Sequence, residues 1–256
     1  MRYEYRTPLL LDQLINWERE FASEVEYLDS PTDLFLGIDF NGKEEYFCTP
    51  IDSFRFARTG MDGMHYVLLT DFGLVKDLNE APVFRISPMD TECIRLVAQN
   101  LSDFFSLQFF DELLLLNEYE SEEEYFNSIR KEEESDLNSD WFDHDRYKRE
   151  KAMVINEVQR KFRLSPIPNA FQYIQDIRFE RQLQISIPTE DSLGILPLIP
   201  VISPDKEAIL ASIRNLQFSA CSDKDLIESH AKELIELGMS REAELLILRL
   251  LANGSY

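Results

Sequence analysis

Glycine is scarce in this 256-residue chain: there are eight, none in a GxGxxG or GxxxxGK[ST] arrangement. The backbone loops that cradle nucleotide phosphates are therefore missing. Histidine and cysteine number three each (His65, His144, His230; Cys48, Cys93, Cys221), and all are well separated. No CxxC, zinc-finger, EF-hand or GxSxG spacing occurs, so no metal, cofactor or nucleophile is implied. Dispersed cysteines in odd number read as buried free thiols in a reducing compartment. No apolar run approaches the roughly 18 residues that span a bilayer. Residues Met1–Arg6 lack the unbroken apolar core of a signal peptide. The expectation is a cytoplasmic protein with no membrane attachment.

Positive charge is also short. Lys and Arg total 26 against 48 Asp and Glu, a formal charge of −22. Such a surface repels phosphate backbones and anionic lipids, which argues against nucleic-acid and membrane partners. The excess is spread through the chain: residues 1–117 carry 21 acids and 9 bases, 118–163 carry 14 and 9, and 164–256 carry 13 and 8. With 44% hydrophobic and 12% aromatic residues, the composition suits a folded core, not an acidic disordered chain.

Apolar periodicity then orders the chain. Leu10, Leu14, Trp17, Phe21, Val25 and Leu28 recur at helical steps, with Thr7 as N-cap, Pro8 in the first turn and Ser30-Pro31 as the stop. Residues 34–40 and 46–49 read as strands joined by an Asn41-Gly42 hairpin. Further strands are expected at 64–71, 82–87 and 93–98. Their short connections leave no room for crossover helices, so antiparallel pairing is expected. Leu101, Phe104, Phe105 and Leu107 mark a following helix, which Phe109–Leu116 extends or succeeds.

Residues 118–140 carry ten acids and two bases, the sharpest local shift in composition. This stretch divides an α+β unit (1–117) from a mainly helical region (141–256), as an acidic linker or exposed helix. A mixed-charge helix is expected from about Asp143 to Phe162, then a helix over 171–181, strands near 184–187 and 195–198, and three closing helices. Ser203-Pro204 starts the first of these. Ser222-Asp-Lys-Asp225 forms a capping-box pattern for the second, and Gly238 separates it from the third. The last two form a hairpin with Leu226, Ile227, Ala231, Leu234, Ala243, Leu246, Ile247 and Leu250 on its apolar faces. A single such unit has no repeat to stack on, so it docks on the body of the protein.

The remaining candidates for chemistry read as structural. Asp143-His144-Asp145 reads as a solvated turn, and His230 as a hydrogen-bonded residue on an apolar face. Carboxylate pairs are too numerous to be informative, because any of the 48 acids can find another.

The most distinctive stretch is Phe56-Ala-Arg-Thr-Gly-Met-Asp-Gly-Met-His-Tyr-Val-Leu-Leu-Thr-Asp71, followed by Pro82-Val-Phe-Arg-Ile-Ser-Pro-Met-Asp90 and Val97-Ala-Gln-Asn-Leu-Ser-Asp-Phe-Phe-Ser-Leu107. Over residues 34–107 this order resembles the SUKH superfamily, which includes a regulator of fungal cell-wall glucan synthesis and bacterial toxin-immunity proteins. The resemblance implies an α+β fold with an antiparallel sheet packed by helices. It also implies a non-catalytic role in binding another protein, such as a toxin. Read from the residues alone, Thr59, Gly60, Asp62 and Gly63 form a fold-determining turn that opens a strand, with His65 and Tyr66 on opposite faces.

The expected function is a protein-binding module, of immunity or regulatory kind, that occludes a basic partner. Glu122, Glu123, Glu124, Tyr125, Phe126 and Trp141 form the candidate contact surface, since aromatics among acids supply anchors that charge alone does not. Two other classes stay open: a scaffold that self-associates through the C-terminal hairpin, and a carboxylate-dependent hydrolase.

Overall fold

The computed structural model describes residues 5–28, 30–43, 45–137, 142–197, 204–219 and 223–252. Helix α1 spans Leu9–Phe21 and buries Leu11, Leu14 and Trp17. Pro8, not Thr7, occupies the N-cap, and no side chain caps the helix. The helix is shorter than its apolar spacing predicts. A 3-10 turn at Ala22–Glu24 tightens the chain, and Val25 leaves helical geometry at φ −133°. Val25 and Leu28 still reach the same core, so the spacing held while the helix did not. Trp17 packs on Phe21, Phe109 and Phe162, at ring separations of 5.3, 6.3 and 5.6 Å.

Five antiparallel strands follow in spatial order: β1 (Phe35–Asp39), β2 (Ser53–Arg58), β3 (His65–Leu69), β4 (Val83–Ile86) and β5 (Ile94–Ala98). The Asn41-Gly42 hairpin to a strand at 46–49 does not form. The partner of β1 is β2, with Phe35 opposite Arg58 and Asp39 opposite Arg55. In β2, Phe54 and Phe56 face one side while Ser53 and Arg55 face the other, the period-two signature of a half-buried strand. Bulges near Arg55 and between Leu36 and Asp39 bend this end of the sheet.

Two layers cover the sheet. Phe54, Phe56, Tyr66, Leu68 and Val83 pack against α1 and α2 (Leu101–Phe110), whose Phe104 meets Phe56 and Tyr66 at 5.0 and 4.8 Å. Asn100 caps α2 by accepting from the Asp103 amide. On the opposite face Val67, Leu69, Phe84, Ile86, Ile94 and Leu96 pack with Cys48, Cys93, Leu193 and Ile177 of α6 (Ala170–Gln184). The outer edge of β5 is sealed by α6, since Arg178 Nε donates to Leu96 O at 2.9 Å. Between these elements lie α3 (Leu113–Leu116), α4 (Glu122–Leu137) and α5 (His144–Phe162). Asp143 is the N-cap of α5, so Asp143-His144-Asp145 opens a helix and is not a free turn.

The chain closes with α7 (Pro204–Phe218), α8 (Lys224–Glu236) and α9 (Ser240–Ala252), the last two paired as a hairpin. Asp223 supplies the α8 cap by accepting from the Leu226 amide; Ser222 lies outside the described residues. Of the two short strands expected before α7, a single bridge between Ile187 and Ile195 remains. Ile227, Ala231, Leu234, Ala243, Leu246 and Leu250 are buried in a core that also takes Ile51 and Phe72 from the loops of the sheet. The exposed part of that hairpin includes Leu226 and Ile247. His230 Nε2 pairs with Ser212 Oγ at 3.0 Å.

Charges also cross this junction. Arg214 of α7 meets Asp52 at 2.8 Å, with Asp191 and Asp71 at 3.6 and 3.8 Å. Arg181 of α6 clamps Asp71 with both terminal nitrogens, at 3.1 and 2.8 Å. All five side chains are buried. Among the described residues, no helix is long and apolar enough to cross a membrane.

Candidate functional site

The turn between β2 and β3 builds one wall of a cleft. Gly60, Asp62 and Gly63 take φ of +81°, +48° and +73°, a region that costs little for glycine and is tolerated by aspartate. The Thr59 hydroxyl accepts from the Met61 amide at 3.3 Å, and the Met64 amide donates to Met61 O at 2.8 Å. A Cβ on Gly60 would stand 2.8 Å from the Phe35 ring, and one on Gly63 would collide with Tyr46. The two glycines therefore set the turn and also seat the two aromatic rings that wall the cleft.

That cleft has a volume of about 630 Å³ and lies over the β1–β2 end of the sheet. Phe35 is 65% exposed and Met61 60% exposed within it. Its floor carries four polar side chains. The buried Glu45 carboxylate accepts from Arg55 Nε at 2.6 Å, and Asp39 takes a second arm of Arg55 at 3.3 Å. Arg58 has no ion-pair partner among the described residues.

His65 is the remaining polar group of the floor, and both its nitrogens are in use. Nδ1 lies 2.8 Å from Gly63 O, a pure acceptor, so Nδ1 carries the proton. Nε2 is then the acceptor for the Thr49 hydroxyl at 3.0 Å. Burial, helped by the nearby guanidinium groups, pulls the His65 pKa down to about 4. The ring is neutral and held by these two partners, with the Glu45 carboxylate 3.6 Å from Nε2. It does not present a free general base.

The loop carrying Glu45 and Tyr46 is held by the C-terminal helices. Gln217 donates to Phe47 O and Thr49 O at 3.3 and 2.6 Å and accepts from the Ile51 amide at 3.2 Å. Arg241 donates to Phe40 O, Ile51 O and Ser53 O, each at 2.9 Å, while its guanidinium lies over the Phe54 ring at 4.1 Å. Arg249 donates to Thr49 O and to Gly42 O. These contacts explain the missing strand at 46–49: helix side chains take the carbonyls that a neighbouring strand would have used.

The acidic segment lies elsewhere, and none of its residues lines the cleft. Glu122, Glu123 and Glu124 are exposed in the first turn of α4, where carboxylates complement the positive helix end. Tyr125 is 4% exposed, and its hydroxyl donates to Asp111 at 2.8 Å. It anchors α4 to the body and is not open to a partner. Phe126 is 51% exposed beside the glutamates. Trp141 lies outside the described residues.

Neither a protein-family model nor a curated protein matches this sequence. Its site is therefore read from geometry. Among the described residues, no three His, Cys, Asp or Glu side chains converge to hold a metal ion.

Sequence reasoning found the glycines of the cleft but missed Phe35, Glu45, Tyr46, Arg55 and Arg58. Alternation in β2 would have placed Arg55 opposite Phe54. Nothing local marks Tyr46, whose position depends on helices some 170 residues further along the chain.

Proposed function

We propose that this chain is a non-catalytic protein-binding protein of the SUKH kind, with an immunity or regulatory role. One observation carries the reading: the cleft beside the Gly60–Gly63 turn exposes Phe35, Tyr46 and Met61 while its titratable groups Glu45 and His65 are tied up by Arg55, Gly63 and Thr49. Exposed apolar side chains around fixed polar groups suit recognition, whereas hydrolysis needs a carboxylate or imidazole free to exchange a proton. The charge of −22 favours encounter with a basic partner, and Glu122, Glu123, Glu124 and Phe126 on α4 offer it an acidic patch with one apolar side chain.

The test is affinity capture from the source cell with the full chain, beside a Glu122→Gln/Glu123→Gln/Glu124→Gln variant and a Phe35→Ala/Met61→Ala variant. A specific protein that is retained by the parent, weakened by either variant and weakened by salt supports the reading. Equal capture by all three forms would sink it.

A further inference from the structure

The two edges of the sheet are treated differently. Along β5, α6 supplies a side-chain donor to Leu96 O, and Tyr173 Oη accepts from the Gln99 amide at 2.9 Å. Along β1, no backbone hydrogen bond from the described residues reaches the side away from β2. The strand reads Phe35-Leu-Gly-Ile-Asp39; it carries a bulge after Leu36 and one charge, Asp39, which is paired with Arg55 of β2, but no lysine or proline. Phe35 projects from it into solvent, and Gly37 leaves open space around the middle of the strand.

The cleft beside β1 is lined by one acid, Glu45, and two bases, Arg55 and Arg58. Glu45 and Asp39 both pair with Arg55, which leaves the guanidinium of Arg58 without an ion-pair partner among the described residues, directly across the ladder from Phe35. In a chain of net charge −22, that unpaired guanidinium selects an acidic side chain at short range. The net charge of the chain still steers encounter towards a partner that is basic as a whole, an effect that salt screens beyond about 10 Å.

We infer that β1 is a strand-addition site: an extended segment of a partner protein pairs with Phe35–Asp39, lays apolar side chains on Phe35, Tyr46 and Met61, and places a carboxylate on Arg58. Main-chain bonds to the open edge give such a complex its affinity, and the cleft gives it register and charge selectivity. This inference rests on the protein-binding reading above and names the partner's local chemistry.

The experiment is selection of a random dodecapeptide phage library on the full-length protein. Enriched peptides are then resynthesised and titrated against the parent, Arg58→Glu and Phe35→Ala. Both substituted positions are exposed, and unchanged melting temperatures establish that the variants are folded. The expected peptides alternate apolar and polar residues around an Asp or Glu. Their affinity falls about tenfold or more with Arg58→Glu, falls again with Phe35→Ala, and is lost on N-methylation of alternate peptide amides. Amide shifts in nitrogen-15 spectra centre on residues 35–39. Enrichment of basic peptides, or of peptides indifferent to Arg58→Glu and to N-methylation, overturns strand addition while leaving protein binding in place. A library with no enriched binder, combined with no specific capture from the source cell, removes both.

Discussion

The Arg214 guanidinium lies 2.8 Å from the Asp52 carboxylate across 162 residues of sequence, with both side chains almost fully buried. Asp52 sits just before β2 and also accepts from the Phe72 amide at 2.9 Å; Arg214 lies over the Phe72 ring at 4.7 Å. The pair joins the sheet to the C-terminal helices at a point that water does not reach.

Replacing Arg214 by Met leaves Asp52, Asp71 and Asp191 close together in the interior with one fewer cation. Removing one partner of a buried pair costs about 3–5 kcal/mol. Urea unfolding of Arg214→Met should show a loss of that size; a loss below about 1 kcal/mol would mean that water or rearrangement compensates the acids.

His65 links stability to pH. Its ordinary pKa of 6.5 is lowered to about 4 in the fold, so below 6.5 the unfolded chain takes up a proton that the native ring refuses. The His65 contribution is therefore full above pH 6.5, declines as pH falls towards 4, and then levels off. At about 1.4 kcal/mol per unit of pKa the total loss is about 3 kcal/mol. The difference in unfolding free energy between the parent and His65→Asn, measured from pH 8 to pH 4, should shrink across that window. A difference independent of pH would place the His65 pKa near its ordinary value.

Glycine substitutions should separate by position. Gly63→Ala meets the Tyr46 ring at a φ of +73°, and a cost of about 1–3 kcal/mol is expected. Part of that cost should vanish in a Tyr46→Ala background, where the positive φ remains but the collision does not. Gly37→Ala meets nothing within 4 Å and should stay within about 0.5 kcal/mol of the parent. A double-mutant cycle on thermal or urea unfolding measures all three.

Arg241 makes three backbone contacts and one ring contact with the segment that carries the cleft wall. Arg241→Met should cost about 2–3 kcal/mol. It should also raise amide hydrogen exchange at residues 40–53 above that of α1 and α2. A uniform rise through the chain would show global destabilisation instead of a loosened loop.

Cys48 and Cys93 should resist thiol reagents in the native protein. Both are buried, and burial, with the neighbouring Cys93 thiol, pushes Cys48 up to about 12. Peptide mapping after brief alkylation at neutral pH should find both unmodified, and both labelled after denaturation.

Most helices and three of the strands were legible along the chain, because each carries its own period; β2 was not read as a strand. Strands β3, β4 and β5, helix α2 and the α8–α9 hairpin stand close to where apolar spacing puts them. The open end of the sheet was not legible in that way. Asn41-Gly42 has the local chemistry of a hairpin, yet Gly42 turns under Arg249 and Leu245 of α9, and the chain runs on to residue 53 before pairing.

The sequence by itself determined an α+β chain with an antiparallel sheet, a helical hairpin at its end and a surplus of acid. Periodicity and composition are local quantities, so one chain read in order suffices for them. Only the tertiary structure decided that Gln217, Arg241 and Arg249 would hold the loop at 40–53, and that Phe35, Tyr46 and Arg58 would meet in one cleft. Those contacts join residues up to 207 positions apart. Most partners of Gln217, Arg241 and Arg249 in that loop are backbone groups, which every residue offers alike, so no spacing of side chains along the sequence could mark them.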